Sequence, residues 1–389
     1  MASSDASQIL AGIKSLIANP PQDKSTRLEL YEAIKDLSTV IEDPHDTIYR
    51  VAYAPLNLTF GVVASNLNIF ELLAKSEKPL TVTGLADSQK CDPVLMGRIL
   101  RFLASQRFVT EVDEDTFTAN NVTQALSKPG FAAGMRHNFE SILPCLVKVP
   151  QFLADTKYTN PSDVMHSAFQ LGHQTDLPAF IWALSQPKMM EDFHLWMAAV
   201  YGDRPTTWLD AYDLAKHCEG STDEDVIFVD VAGGIGHQCA LLKAKLPELK
   251  GRVILEDLPM VTPQAIPTAG VENMGIDMWQ GQPIKGAKTY YMRMILHDYP
   301  DDKATALLKL TAEAMTVDSV LVIDELVIPN KGAHGHATQF DLTMLSSLSS
   351  IERTDKQWDT LLDSAGFKIL EKKPYAPTGE SVMVVVPKA

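Results

Sequence analysis

Three ionisable residues that lie far apart in the sequence could together move a proton. His297 follows an apolar run typical of a strand, Glu325 ends another such run, and Glu352 lies in the sequence Ile-Glu-Arg-Thr. Histidine suits general-base catalysis because its unperturbed pKa lies close to neutral pH. A carboxylate on one imidazole nitrogen fixes the tautomer and leaves the other nitrogen free to take a proton. We predict that these residues form a catalytic group, although a lone pair such as His297–Asp298 is more often structural.

A glycine-rich stretch could bind a nucleotide-type ligand. The β-branched run 226–231 has the pattern of a buried parallel strand and contains Asp230 near its end. Glycines let the backbone turn tightly and approach a ligand closely, and the residues after them have helical periodicity. A strand, a glycine loop and a helix in this order predict a nucleotide-type site that includes Asp230, Gly233, Gly234 and Gly236.

Further acidic residues follow the next predicted strands. Glu256 and Asp257 end the second apolar run, where a carboxylate can accept hydrogen bonds from both hydroxyls of a ribose. Asp257 fits equally well as a helix N-cap before Pro259. Asp277 could offer a carboxylate to an adenine amine, and Met278 a thioether to its face. We include Glu256, Asp257, Asp277 and Met278 among the predicted ligand-binding residues.

Composition excludes several classes of protein. The chain has 389 residues, a net charge of -15 and a pI of about 5.1, so its surface repels nucleic acid and anionic membranes, and neither is expected as a partner. The four cysteines lack metal-ligand spacing, which predicts free thiols in the cytoplasm and no bound metal. No apolar run approaches the roughly 20 residues of a membrane helix.

Residues 1–120 are predicted to form a helical and winged-helix domain. Two amphipathic patterns in the first 45 residues need a surface to cover them, either on the same chain or in a homodimer. Helical patterns between 60 and 106, followed by a hairpin at 108–118, indicate a winged helix-turn-helix. This motif often binds DNA, but the third helix offers few cations and the wing is acidic, which argues against phosphate binding.

Residues 121–220 are predicted to be mainly helical and to form part of a substrate pocket. The segment is rich in aromatic residues and methionine, which suit the wall of a pocket for a flat, apolar molecule, although most such residues belong to a core. We expect part of the stretch 192–197 to face the cleft. The candidate pocket residues from this segment are His137, Phe193, Trp196 and Met197.

Residues 221–389 alternate strand and helix patterns. Such alternation predicts a doubly wound α/β domain with a parallel sheet, whose ligands bind at the carboxyl ends of the strands. The predicted strands are 226–231, 252–255, 289–292, 319–323, 368–371 and 381–386, and the predicted helices are 237–246, 260–268, 301–316 and 354–365.

Taken together, the motifs of this chain resemble those of the plant caffeic-acid-type and fungal O-methyltransferases. The resemblance covers almost the whole chain, including the helical N-terminal part. It rests on Val-Asp-Val-Ala-Gly-Gly-Ile-Gly-His at 229–237, Leu-Glu-Asp-Leu-Pro at 255–259, Leu-His-Asp at 296–298, Asp-Glu-Leu-Val-Ile-Pro at 324–329, and Glu-Arg-Thr at 352–354.

The resemblance implies a class I, Rossmann-like fold, a dimerisation domain and S-adenosylmethionine as cofactor. It implies that the glycine loop, Asp257, Asp277, Met278 and Arg293 bind this cofactor, and that Met344 and Asp298 belong to the substrate pocket. It further implies that the histidine is the base and the two glutamates its flanking acids. The chain departs from the family pattern where alanine replaces the first glycine at 232, where Arg293 replaces a frequent lysine, and where serines at 346–350 replace glycines.

Three functions are compatible with these residues. The first is methyl transfer, without a metal, to a phenol or enol hydroxyl of a small aromatic or polyketide-type secondary metabolite. Some fungal relatives instead use bound S-adenosylmethionine without transfer while they guide dehydration or a pericyclic reaction, and fold alone does not separate the two. Such an enzyme would depend on other polar residues, for example His137 or Arg293. A winged-helix, ligand-sensing regulator is the third alternative.

Overall fold

The computed structural model describes residues 2–201 and 206–388, and its first three elements are helices, of which the second and third start at local caps. Asp23 accepts a hydrogen bond from the Thr26 N–H at 2.7 Å, and Asp43 accepts one from the His45 N–H at 2.8 Å. Side-chain acceptors of this kind satisfy the free N–H groups of a first helical turn. Both predicted amphipathic helices are present. The three helices are α1 (Ala2–Ala18), α2 (Lys24–Ile41) and α3 (Pro44–Ala52).

The apolar stripes of α1–α3 are not covered by the rest of the chain. No described residue between positions 6 and 53 is buried. Ile17, Val40 and Ile41 are 76%, 82% and 72% exposed. Single exposed apolar residues are normal, but a contiguous apolar surface marks an interaction site. Burial within the same chain, one of the two alternatives for these helices, is therefore not observed.

A compact winged-helix unit follows. Its small antiparallel sheet has the order β1-β3-β2, as the predicted hairpin required. Phe70, Leu100 and Phe117 are fully buried at its centre, which explains why these short elements hold together. Its elements are α4 (Pro55–Asn66), α5 (Ile69–Lys75), β1 (Leu80–Thr81), α6 (Val82–Gln89), α7 (Pro93–Ser105), β2 (Thr110–Asp113) and β3 (Thr116–Thr118).

A helical region connects this unit to the sheet domain. Two of its helices, residues 129–137 and 187–201, pack closely because a Cβ at Gly134 would collide with the ring of Trp196. Arg136 and Asp192, which is 3% exposed, form an ion pair between the same two helices. The helices are α8 (Asn121–Leu126), α9 (Pro129–His137), α10 (Leu143–Asp155), α11 (Ala168–His173), α12 (Ala179–Leu184), α13 (Pro187–Tyr201), α14 (Trp208–Ala211) and α15 (Leu214–His217), with a π-helical turn at Asn138–Ile142 between α9 and α10.

The C-terminal domain is built on a seven-stranded sheet of order β6-β5-β4-β7-β8-β10-β9. The strands are β4 (Val226–Val231), β5 (Arg252–Asp257), β6 (Val271–Gly275), β7 (Thr289–Arg293), β8 (Val320–Leu326), β9 (Phe367–Pro374) and β10 (Glu380–Pro387). The five strands from β6 to β8 are parallel, as predicted, but β10 runs antiparallel to both of its neighbours. The wholly parallel sheet that was predicted is therefore corrected to a mixed sheet.

Helices cover both faces of the sheet, as in a doubly wound domain. One face buries Tyr290, Ile323 and Trp358, and the other buries Trp208, Phe228 and Tyr291. The helices of this domain are α16 (His237–Lys245), α17 (Asp301–Ala312), α18 (Gly335–Leu348) and α19 (Asp355–Ser364), of which α18 packs instead against α10 and α11. Strand β6 and helix α18 were not predicted, and the predicted helix 260–268 is reduced to a single 3₁₀ turn at Thr262–Gln264.

Across residues 2–201 and 206–388, each helix taken alone is too short or too polar to cross a membrane. The adjacent helices α4 and α5 reach the required length and apolar character only as a pair, which is bent by 66° at the break between them.

Candidate active site

A single 3₁₀ turn after β7, Leu296–Asp298, carries the candidate base. His297 is 4% exposed, and its Nδ1 lies 2.5 Å from Oε1 of Glu352. Glu352 lies in the segment between α18 and α19 and is 1% exposed. The contact is therefore a buried hydrogen bond to an ionisable partner, which is stronger than one between neutral groups. Two of the three predicted catalytic residues are thus directly joined.

Glu325 supports the turn through its backbone. Its Oε1 accepts hydrogen bonds from the N–H groups of Ile295 and Leu296 at 2.9 and 2.8 Å. Its Oε2 is buried and has no hydrogen-bond partner in the described part of the chain. One nitrogen or oxygen atom from each of His297, Glu325 and Glu352 lies within 4.8 Å of the others. The structure thus brings the predicted group together, with Glu325 bound to the backbone beside the imidazole.

Both imidazole nitrogens of His297 face carboxylates, because Nε2 lies 3.3 Å from Oδ1 of Asp298. Burial lowers the pKa of His297, but the charges of Glu352, Asp298 and Glu325 outweigh it and raise the pKa to about 10. Burial raises the pKa of Asp298 to about 6 and the pKa of Glu325 to about 7. The surrounding carboxyl groups therefore favour the protonated imidazole.

Arg353 holds the two ends of the same turn. Its buried guanidinium donates to the carbonyl oxygens of Leu296 and Tyr299, each at 2.8 Å, and to Oδ1 of Asp301 at 2.8 Å. The Glu-Arg-Thr motif therefore binds both the imidazole and the backbone around it. The sequence analysis quoted this motif but assigned no role to the arginine. The position of Arg353 next to Glu352 could have indicated a role in the site. Which carbonyl groups the arginine reaches, however, depends on the fold.

Helix α18 forms a wall beside the catalytic turn. The Phe340 ring stacks on the imidazole of His297, with ring centroids 5.7 Å apart and planes 25° from parallel. Asp341 accepts a hydrogen bond from the Glu352 N–H at 2.9 Å. Neither Phe340 nor Asp341 was predicted. The spacing of four residues between Phe340 and Met344, typical of one helix face, was the signal that could have identified the former.

The glycine loop has the left-handed backbone that its sequence requires. The φ angles of Ala232, Gly234 and Gly236 are 55°, 61° and 85°. A Cβ on Gly233 would collide with the Asp230 carboxyl group, whereas a Cβ on Gly234 would meet nothing within 4 Å. One side of the loop therefore packs against the sheet, and the other is open to a ligand. Alanine at 232 occupies a conformation that costs L-residues roughly 1–2 kcal/mol.

Asp257 and Asp277 hold the two loops that face this opening. Asp257 Oδ2 accepts a hydrogen bond from the Gly234 N–H at 2.7 Å, and burial raises the pKa of Asp257. Asp277 is exposed and accepts one from the Trp279 N–H at 3.0 Å, next to the half-buried Met278. Carboxylates with remaining acceptor capacity beside an open glycine fit the hydroxyl and amine groups of a nucleoside.

Two residues that were predicted to bind the cofactor lie beneath the loops instead. Asp230 and Glu256 are 1% and 0% exposed. Asp230 accepts a hydrogen bond from the Cys239 thiol, with a sulfur–oxygen distance of 3.5 Å, and Glu256 accepts one from Gln282 at 2.7 Å. Successive residues of a strand face opposite sides of a sheet, so Asp257 reaches the glycine loop and Glu256 cannot. Their predicted direct contact with a cofactor stays a prediction.

Arg293 belongs to a buried polar cluster at the end of β7. It donates to Asp324 and to the Tyr375 hydroxyl, the latter at 2.7 Å. Asp324 also accepts hydrogen bonds from the hydroxyl groups of Tyr291 and Tyr375, at 2.6 and 2.7 Å. These bonds fix the guanidinium at the carboxyl edge of the sheet, on the same side as Asp230. Its predicted contact with the cofactor stays a prediction.

The predicted pocket residues of the helical region are divided between two roles. His137 lies at the end of α9, 5.5 Å from the ring of Phe193, and its Nδ1 is buried without a hydrogen-bond partner among the described residues. Burial lowers the pKa of His137. Trp196 instead packs against Gly134 of α9, so it forms part of the contact between α9 and α13. Met197 is half-buried on α13, and Met344 is buried on α18.

Comparison with known proteins agrees with this arrangement. Family models described as an O-methyltransferase dimerisation domain and an O-methyltransferase domain match residues 62–128 and 217–368. The O-methyltransferase lepI of Aspergillus flavus is 36% identical, over 97% of this chain and 99% of its own. The demethylsterigmatocystin 6-O-methyltransferase of Aspergillus parasiticus is 33% identical, over 99% and 98%. The chain therefore belongs to the O-methyltransferase family.

Solved structures extend the comparison. A LepI variant in complex with SAH and a substrate analogue is 36% identical and has a TM-score of 0.90, with 98% of this chain and 100% of that chain covered. A protein described as a pericyclic reaction enzyme is 35% identical, with the same TM-score and coverage. The Rossmann-like fold with an N-terminal dimerisation domain is thus confirmed. Methyl-transferring and pericyclic enzymes both occur among the similar proteins.

We expect Ala232→Gly to stabilise the glycine loop. Glycine removes the left-handed penalty of roughly 1–2 kcal/mol, and its greater unfolded-state entropy offsets about 0.5–1 kcal/mol of that gain. The net increase in the free energy of unfolding should reach about 1 kcal/mol in urea titrations. Ala240→Gly within α16 is the matched control and should destabilise by about 1 kcal/mol. An Ala232→Gly protein that loses stability like the control would contradict the loop geometry.

We expect Glu352→Gln to lower both the pKa of His297 and the stability of the fold. A His297 pKa near 10, against about 6.5 when unfolded, contributes stability that is complete below pH 6.5 and lost as pH rises towards 10. The loss should therefore be on the order of 3 kcal/mol at pH 6 and smaller at pH 9, measured by urea unfolding. NMR titration of the imidazole reports the pKa directly.

The matched control for this substitution is Glu272→Gln. Glu272 forms an exposed ion pair with Arg252 at 2.7 Å, so its substitution should cost less than about 1 kcal/mol at either pH. Equal losses for the two variants would show that the His297–Glu352 hydrogen bond carries no special energy.

Proposed function

We propose that this protein is an S-adenosylmethionine-dependent O-methyltransferase that acts on a phenol or enol hydroxyl of a small aromatic or polyketide-type metabolite. The observation that carries this proposal is the buried His297, held on Nδ1 by Glu352, at the carboxyl edge of a sheet whose neighbouring loops fit a nucleoside. A histidine oriented by a carboxylate is the arrangement that general-base catalysis requires. Family membership at 36% identity supports the same assignment.

S-adenosylmethionine is the cofactor, and when bound it supplies an electrophilic methyl group on a sulfonium. In the proposal the open side of Gly234 and the carboxylates of Asp257 and Asp277 hold the nucleoside part, and Arg293 lies at the same edge. The turn that carries His297 is fixed on both sides by Arg353, so the imidazole keeps its position while the substrate binds. Such positioning accounts for much of the acceleration in two-substrate reactions.

The proposed proton transfer is governed by the charge of His297. A phenol has a pKa near 10, so an imidazole with a pKa of about 10 can exchange a proton with it at little energetic cost. The neighbouring carboxyl groups disfavour the neutral imidazole that must accept this proton at pH 7. Methyl transfer should therefore become faster as pH rises from 7 towards 10. No metal is required for these steps, in which His297 takes the proton and Glu352 stabilises the resulting imidazolium.

A second candidate function is a dehydration or pericyclic reaction without methyl transfer. The specific observation in its favour is the resting imidazolium of His297, because a buried cation can donate a hydrogen bond to a substrate carbonyl and stabilise developing negative charge. The unpartnered Nδ1 of His137 offers a further polar contact. The 35% identity to a protein described as a pericyclic reaction enzyme supports this candidate as well.

We further propose that the protein is a homodimer, with no nucleic acid partner. The match to an O-methyltransferase dimerisation domain and the uncovered stripes of α1–α3 both support a second copy as the surface that covers them. The net charge of -15 argues against nucleic acid.

The two chemical functions are separated by following the methyl group. We expect label from methyl-labelled S-adenosylmethionine to enter a product when the protein is incubated with a metabolite extract, as detected by mass spectrometry. His297→Ala should reduce this transfer by about 10²–10⁴-fold, the usual contribution of a general base. The matched control is His166→Ala, which removes an exposed histidine. EDTA should leave the rate unchanged.

The outcome that would contradict methyl transfer is equally specific. If a metabolite is converted only in the presence of S-adenosylmethionine and no label moves, the second candidate is correct. Methyl transfer by His297→Ala at the rate of the unmodified protein would instead show that the imidazole is not the base.

We expect the protein in solution to have twice the chain mass of 42.8 kDa by light scattering. Introducing charge on the exposed stripe of α2 with Ile34→Glu and Ile41→Glu should yield monomers, because burying two carboxylates in an apolar interface is costly. Val317→Glu is the control, since Val317 is fully exposed elsewhere. Dimers that persist in the double variant would exclude this surface.

A further inference from the structure

A buried glutamate lies beneath the cofactor loops and has no assigned role. Glu256, at the end of β5, is 0% exposed, and its Oε2 accepts a hydrogen bond from Gln282 Nε2 at 2.7 Å. Its Oε1 is buried without a partner among the described residues. Burying a carboxylate costs free energy unless its oxygens are satisfied, so a residue of this kind needs an explanation.

Its partner, Gln282, belongs to the loop that carries two predicted adenine contacts. Residues 276–284 connect β6 to the turn before β7 and include Asp277 and Met278. Gln282 is 5% exposed, and its Oε1 accepts a hydrogen bond from the Ile284 N–H at 2.9 Å. The Gln282 amide oxygen therefore binds its own loop, and the amide nitrogen binds Glu256. We refer to residues 276–284 as the adenine-side loop.

The end of β5 is the common attachment of both cofactor loops. The Ile276 N–H donates to the Asp257 carbonyl at 2.8 Å, which holds the start of the adenine-side loop. The Gly233 N–H donates to the Glu256 carbonyl at 3.0 Å. The hydrogen bond between Glu256 and Gln282 thus attaches the other end of the adenine-side loop to β5 through side chains. Among the described residues, no other side-chain hydrogen bond joins that end of the loop to β5.

We propose that Glu256 and Gln282 form a positioning pair that holds the adenine-side loop in the shape needed to bind the adenosine part of the cofactor. This inference rests on the cofactor site of the proposed function. Glu256 is a positioning residue here, because it reaches the ligand only through Gln282 and the loop. The proposal accounts for a buried acid at a site where a nonpolar residue would fill the core without an unsatisfied oxygen.

The charge of Glu256 provides a second readout. Burial raises the pKa of Glu256 to about 7, against the effect of the Gln282 hydrogen bond. The ionisable groups that interact with it electrostatically are Asp230 on β4 and Tyr290 on β7. Ionisation near neutral pH places a buried charge under the adenine-side loop, and only one of the two carboxylate oxygens accepts a hydrogen bond there. Loop attachment, and with it nucleoside affinity, should therefore weaken as pH rises from 6 to 8.5.

The test combines hydrogen exchange with binding of S-adenosylhomocysteine by calorimetry. Gln282→Leu removes the donor while keeping the volume, and we expect faster amide exchange confined to residues 276–284 and affinity lower on the order of tenfold. Glu256→Gln keeps an acceptor for Gln282 without a charge. We expect it to bind S-adenosylhomocysteine with a smaller loss of affinity between pH 6 and 8.5 than the unmodified protein shows.

Lys285→Leu, at an exposed position just beyond the adenine-side loop, is the control and should change neither exchange in the loop nor affinity. The proposal is overturned if Gln282→Leu exchanges and binds like this control, or if Glu256→Gln has the same pH profile as the unmodified protein. Exchange is measured without ligand, so it tests the loop attachment independently. Failure of the unmodified protein to bind S-adenosylhomocysteine at all would count against the proposed function instead.

Discussion

The buried hydrogen bond between His297 and Glu352 is the contact on which the geometry of the site depends. It joins the end of the fourth parallel strand to the segment between α18 and α19, so the imidazole is placed only when the whole sheet edge is formed. Buried ionisable groups persist only when their partners are also buried and satisfied. The surrounding contacts meet this condition in part, since Glu325 binds backbone N–H groups through Oε1 and Arg353 binds backbone carbonyls on both sides of the imidazole.

Where the cofactor is proposed to bind, buried acids are likewise held by hydrogen bonds to neighbouring segments. At the end of β5, two successive acids face opposite sides of the strand, so one side chain reaches the glycine loop and the other reaches the adenine-side loop. Their backbone carbonyls accept from the same two loops. A strand end that holds both loops from one point couples their positions.

Much of this architecture was predictable because burial on both faces leaves continuous apolar runs, as in β4, β5, β7 and β8. β6 was missed because it is a largely exposed edge strand of sequence Val-Glu-Asn-Met-Gly, which lacks a continuous apolar run. The predicted helix at 260–268 failed because prolines at 259, 263 and 267 interrupt it. The residue types of the site and the grouping of His297 with Glu325 and Glu352 were predicted, but the individual hydrogen bonds were not. Which oxygen meets which N–H depends on side-chain direction, and the sequence pattern does not determine this for residues in turns.

The charge state of His297 links the fold to the choice between the two reactions. Three nearby carboxyl groups favour the imidazolium, and the low polarity of the site makes that preference strong. A methyl-transferring enzyme must lose this proton before each turnover or receive a substrate whose acidity matches it. An enzyme that only polarises its substrate keeps the proton throughout. The same arrangement of residues is thus compatible with either reaction, and the acidity of the substrate would distinguish them.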